Sequence, residues 1–238
     1  MTKMSGDMYV GAYWGPRKES SGQCADRLMA CLHILCDCDE GFTHWFEKGK
    51  SRKDGLGEAF DFRAKDNVLR LLESGYHRHN PNRSVMDDLG FTFGLWNGDS
   101  EIRSASISVT CGSYVENPHL RNSVVIDFPE NLGSLAEKDR CVQILKSVVE
   151  TWEPDWAGVI SRISRNMRPF NPALPFVDWM IYVNRIGIGH FMLPATATKM
   201  EVVGKGTIVI VQNHPIDPSN SADMLNVKEV SGSLSLTK

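Results

Sequence analysis

The stretch SASISVTC, residues 104–111, alternates without a break: Ala105, Ile107, Val109 and Cys111 point one way, and Ser104, Ser106, Ser108 and Thr110 the other. Successive side chains of a strand stand on opposite faces, so this is the pattern of an antiparallel sheet with one face on a core and one in water. Upstream, FTFGLW (residues 91–96) reads as a neighbouring strand, and Asn97-Gly98 after it suits the positive φ angles of a hairpin turn. Downstream, SVVIDF (residues 123–128) makes a further strand closed by Pro129.

Working outward, MYVGAYW (residues 8–14) is a strand of β-branched and aromatic residues that ends at Gly15-Pro16. Ser20 and Gln23 have capping-box spacing and open a helix expected to run to about Cys36. Cys24, Leu28, Cys31 and Leu35 fall on one face of that helix, where free cysteine acts as a small hydrophobe, so core packing is expected rather than zinc or a disulfide. The glycine-proline corner is read as a bend and not as a phosphate cradle. Pro16 has no N–H, and Arg17, Lys18 and Glu19 are too bulky to let backbone amides close on an anion.

Residues 41–60 read as a loop or short helix pinned by Trp45 and Phe46, residues 66–73 as a second short helix, and residues 74–88 as an exposed loop without period. Ser134 and Glu137 repeat the capping-box spacing ahead of a helix with Val142, Leu145, Val149 and Trp152 on one face, stopped by Pro154. Residues 155–160 and 179–183 are strand candidates joined by a surface connection, RPFNPALPF. Val202 and Val203 start another strand, and TIVIV (residues 207–211) has the continuous apolar character of a strand covered on both faces. Asp217-Pro218 is expected to be the N-cap and N1 pair of a last helix reaching about Val230, with a loose tail beyond.

Strands and helices do not alternate regularly, which excludes a parallel doubly wound fold. The expectation is α+β: a single domain over residues 1–238 with its core at about 8–230, built as a mixed, mostly antiparallel sheet covered by amphipathic helices. With 238 residues, 42% hydrophobic and 23% charged, the chain has the composition of an ordinary globular protein. No window approaches the ~20 apolar residues of a membrane span, and the first ten residues lack the apolar core of a secretory signal, so a cytosolic location with no membrane partner is expected. A net charge of −3 offers no basic field for direct binding of nucleic acid and suits a basic protein partner instead.

Catalytic signatures each fail at a residue. GIGHFM (residues 187–192) lacks the third glycine of a dinucleotide loop, and VVGKGT (residues 202–207) lacks both the first glycine and the Ser/Thr of a P-loop. Asp37, Asp39 and Glu40 are followed by a glycine one place too early for a calcium loop, with no glutamate at its twelfth position. His77 and His79 flank Arg78 without an acidic or cysteine ligand at zinc spacing, and His33 reads as a boundary residue of its helix. No catalytic, cofactor or metal residue is assigned, and a non-enzymatic protein is expected. The six tryptophans read as plugs at the edges of the core. An alternative uses them as a stacking platform for carbohydrate or another small molecule.

Seven segments taken together, YVGAYWGPRKES (residues 9–20), WFEKGKSR (45–52), DLGFTFGLWNG (88–98), SVTCGSY (108–114), NSVVIDFP (122–129), EPDWAGV (153–159) and PFVDWMIYV (175–183), resemble the immunity protein 52 family of bacterial polymorphic toxin systems. The resemblance implies a cytosolic antidote that binds a secreted toxin domain, a nuclease of restriction-endonuclease-like fold. It carries no catalytic residues. An acidic inhibitor facing a phosphate-binding surface is expected to use exposed carboxylates, and Asp87, Asp88, Asp99 and Glu101 are the candidates, with the Asn97-Gly98 turn expected to draw the last two near the first two. Of residues 113–121 only Ser113 and Tyr114 fall in these segments, and those beyond Asn213 match none.

Overall fold

In the computed structural model, which describes residues 8–48, 57–79, 82–117, 119–184 and 193–235, the chain builds one sheet of nine strands. They are β1 (Met8–Trp14), β2 (Phe46–Glu47), β3 (Phe91–Trp96), β4 (Ser106–Cys111), β5 (Asn122–Asp127), β6 (Trp156–Ser161), β7 (Met180–Val183), β8 (Thr198–Val202) and β9 (Gly206–Ile210), in the order β2-β3-β4-β5-β1-β6-β7-β9-β8. Among the described residues five helices accompany them: α1 (Ser21–Cys38), α2 (Lys65–Ser74), α3 (Lys138–Trp152), α4 (Arg162–Met167) and α5 (Ser221–Ser235). The α+β expectation holds, and every strand pairing described is antiparallel, with no parallel pair among them.

The sheet has two halves with different sequence patterns. In β3, β4 and β5 buried and accessible residues alternate, with Leu95, Ile107, Val109, Val124 and Ile126 inward and Thr92, Ser106, Ser108 and Ser123 outward. In β1, β6, β7 and β9 every residue is buried. The register explains this. Val10 and Ala12 of β1 lie opposite Ile126 and Val124 on one side and Val159 and Ala157 on the other, which continues the inward face across the sheet. Helices α1 and α3 pack there together, and Trp14 stacks on Trp152 of α3 at 5.7 Å. The reverse face of this half carries Tyr9 and Tyr13, and residues 162–176 cover it. Tyr13 stacks on Trp156 at 4.6 Å, Phe170 meets both rings edge-on, and the Arg165 guanidinium lies 4.3 Å from the Phe170 centroid.

That cover is anchored by Asp178, which is fully buried and accepts hydrogen bonds from the Ser161 N–H at 2.7 Å and from Arg168 at 2.8 Å. Burial pushes its carboxyl up to about 6, against the opposing pull of these donors.

Local signals were kept where no distant partner competed. Ser20 and Gln23 form the expected capping box, and α1 continues to Cys38 with Cys24, Leu28, Cys31 and Leu35 all buried. The second box does not form. The Ser134 hydroxyl donates to the Asp39 carboxylate at the end of α1, residues 133–136 make a 3-10 turn, and α3 begins at Lys138 without a side-chain cap. The last helix also starts later than expected, because the Asp217 carboxylate holds Ser219 in a turn and Asn220 accepts from the Ala222 N–H; α5 then runs on to Ser235. Residues 74–88, expected as an aperiodic loop, carry isolated bridges from Tyr76 to Phe91 and from Arg78 to Val85. The near-miss dinucleotide loop at 187–192 lies outside the described residues.

Candidate functional site

The four candidate carboxylates fall at the two ends of β3. Asp87 and Asp88 sit in a 3-10 turn just before it, and Asp99 and Glu101 in the connection just after it. Six residues of strand at roughly 3.3 Å each hold the pairs about 20 Å apart. The expected convergence through an Asn97-Gly98 hairpin therefore does not occur, since β3 and β4 are joined by residues 97–105 rather than by a two-residue turn.

At the first end, Gly90 has φ +64, and a Cβ there would stand 2.2 Å from the Cys111 carbonyl, so the chain enters β3 by a path only glycine allows. The Asp88 carbonyl accepts from the Tyr114 N–H at 3.0 Å and from the Ser113 hydroxyl at 3.1 Å. Asp87 is exposed and lines a cavity of about 320 Å³ with Lys18, Ser21, Tyr76, Phe91 and Tyr114. Lys18 lies over the Tyr114 ring at 4.9 Å. Behind this cavity the charges are paired with one another. Glu19, buried in the corner before α1, meets Arg17 at 3.1 Å and Arg27 at 2.7 Å, while Glu153 at the end of α3 meets Arg27 at 3.1 Å and Lys205 at 2.6 Å. Arg17 and Arg27 also donate to the Trp152 and Thr151 carbonyls, so cations complete the C-terminus of α3.

At the second end, Asn97 is the organising residue. Its amide donates to the carbonyls of Gly41 and Arg103 at 3.2 and 3.0 Å, and its oxygen accepts from the Ala105 and Asp99 N–H groups at 3.0 and 3.3 Å. This ties the β3–β4 connection to the turn after α1. Gly98, at φ +74, clears the Phe46 ring. The Asp99 carboxylate accepts from the Ser100 N–H and pairs with Arg103 at 3.0 Å, and these contacts, the backbone bond first, hold it below the usual carboxylate range. Glu101 is exposed. Here a groove of about 490 Å³ opens, floored by Pro129, Leu132 and Leu135 and rimmed by Asp39, Glu40 and Asp99. The sequence reading named Asp99 and Glu101 but missed Asp39 and Glu40. They come from the end of α1, some sixty residues away in the chain, and only the charge pattern of the segment hinted at them.

Of the six tryptophans, Trp96 is part-buried beside Phe46 and the other five lie in the core. Trp14, Trp45, Trp152, Trp156 and Trp179 are at most 2% exposed, so their ring faces are committed to the core. Among the described residues no group of three or more His, Cys, Asp or Glu is arranged to hold a metal ion, and no helix is long and apolar enough to cross a membrane.

The frame is therefore an antiparallel α+β sheet with most of its tryptophans in the core and two charged ends to β3. The family model for Immunity protein 52 matches residues 6–236, and the chain belongs to that family. Among solved structures it is similar in fold to the Pseudomonas aeruginosa T6SS protein PA0821, with a TM-score of 0.56 at 11% identity, over 96% of this chain and 72% of that one. No curated protein matches the sequence.

Proposed function

We propose that this protein is an antidote that acts in the cytosol of its own cell by binding a cognate secreted toxin domain, and that it performs no chemistry itself. The family match across residues 6–236 carries this reading. The toxin is proposed to be a nuclease of restriction-endonuclease-like fold, whose phosphate-binding surface is basic and attracts an acidic inhibitor. Asp87, Asp88, Asp99 and Glu101 are proposed contacts. The pairs lie about 20 Å apart along β3, and one interface of ordinary size, about 800 Å² on each partner, spans that distance.

Co-expression with the cognate toxin domain, to be sought in the gene beside its own, tests the reading. Cells carrying both are expected to survive and the two proteins to copurify, whereas cells carrying the toxin domain alone die. Equal killing in the presence of this protein, or turnover of a metabolite by the purified protein, contradicts it.

A further inference from the structure

The groove beyond the C-terminal end of β3 is walled by three segments distant in sequence: residues 37–43 after α1, residues 97–104 between β3 and β4, and residues 129–137 between β5 and α3. They hold Asp37, Asp39, Glu40, Asp99, Glu101, Glu130 and Glu137 against Arg103 alone. That is a formal −6 in a chain whose total is −3, and −5 when Lys138, Asp139 and Arg140 at the start of α3 are counted with it. The negative field of the protein is thus concentrated at one end. The segments are fastened to one another, by Asn97 as described, by the Asn131 N–H donating to the Ile102 carbonyl at 2.8 Å, and by Ser134 on Asp39. Ile102, between Glu101 and Arg103 in the chain, is 54% exposed.

We infer that this groove is where the cognate toxin docks, and that its occupant is a lysine- or arginine-bearing segment of the toxin. The inference rests on the antidote reading and specifies the surface it uses. Lysine and arginine side chains have apolar stems and charged heads, which match an apolar floor of Pro129, Leu132 and Leu135 beneath a carboxylate rim. Asp39 and Asp99 are engaged within the fold, while Glu40 is exposed on the rim, and Glu101 and Glu130, within two residues of the lining residues Arg103 and Pro129, are exposed as well. A second copy of this chain is a poor occupant, because two such ends repel.

The test uses the cognate toxin domain identified by co-expression and two variants of the full chain. Glu40→Lys/Glu101→Lys/Glu130→Lys reverses the rim, and Asp87→Lys/Asp88→Lys reverses the opposite end. Surface changes of this kind leave folding nearly unaltered, which an unchanged melting temperature verifies. The rim variant is expected to weaken binding roughly 100-fold, mostly through slower association and with a flatter salt dependence, while the opposite-end variant weakens it about threefold. Ile102→Ser, which removes apolar surface without adding charge, should add to the loss. Equal effects of the two variants, or a rim variant that binds as tightly as the wild type, overturn the groove assignment while leaving the antidote reading intact. A wild-type protein that does not bind the toxin domain at all overturns both.

Discussion

The two ends of the α1–α3 helix pair treat charge in opposite ways. Where α1 begins and α3 finishes, Glu19, Arg17, Arg27, Glu153 and Lys205 neutralise one another, and the two arginines also satisfy carbonyls at the end of α3. Where α1 finishes and α3 begins, the three segments that wall the groove carry seven carboxylates and one arginine, and Lys138 and Arg140 follow in the first turn of α3. Charge at the first end is consumed in holding the frame together. At the second it is left facing outward, and unscreened charge of one sign is useful only toward something that arrives.

The sharpest way to break this comparison is to mutate the closed end and look for an effect on binding. Trp152→Ala, which removes a fully buried ring stacked on Trp14, is expected to cost about 3–5 kcal/mol in urea unfolding. Glu19→Ala leaves Arg17 and Arg27 facing each other with their buried partner gone and is expected to cost about 3 kcal/mol, the lower end for a broken buried pair because both arginines are about one quarter exposed. Neither variant, while folded, should change toxin affinity more than about twofold, since neither touches the groove. The reversed rim should do the converse, with a hundredfold loss of affinity, about 2.7 kcal/mol, and no loss of stability.

Acid titration gives an effect whose sign is fixed by burial. Asp178 is pushed from 3.8 to about 6 by burial, so the folded state holds its proton after the unfolded chain has released it. Its contribution is fully present below about 3.8 and is lost as pH rises through about 6, giving a downward slope of at most about 1.4 kcal/mol per pH unit in that window. Asp178→Asn should lack this slope. Glu153 works in the opposite sense. Lys205 first, and Arg27 after it, hold its carboxyl below 4.5, so its support is present above that value and fades as pH falls further. Glu153 is half exposed, which keeps its contribution the smallest of these.

Most of the frame was legible in the sequence because the information was local. The Ser20–Gln23 box, the alternation of residues 104–111 and the stripe of Cys24, Leu28, Cys31 and Leu35 each specify a conformation within a dozen residues, and each is found as read. Signals that depend on which partner wins were misread. Ser134 has the spacing to cap its own helix but reaches Asp39 instead, and Asp217 closes a turn before α5 begins. The sheet order was not legible either, because β1 lies between β5 and β6, strands more than a hundred residues away. The site suffered most from this. Asp99 and Glu101 were found as exposed carboxylates beside a turn, but the groove exists only where three distant segments meet, and a list of single residues gives no sign of their shared field.

The most direct measurement is zero-length carbodiimide cross-linking of the wild-type protein to the toxin domain, which joins a carboxylate to a lysine only when the two are in contact. Digestion and mass spectrometry should place the links at Glu40, Glu101 and Glu130, in peptides that carry toxin lysines. Links confined to Asp87, Asp88 or other surfaces, with the groove carboxylates unmodified by the partner, contradict the account.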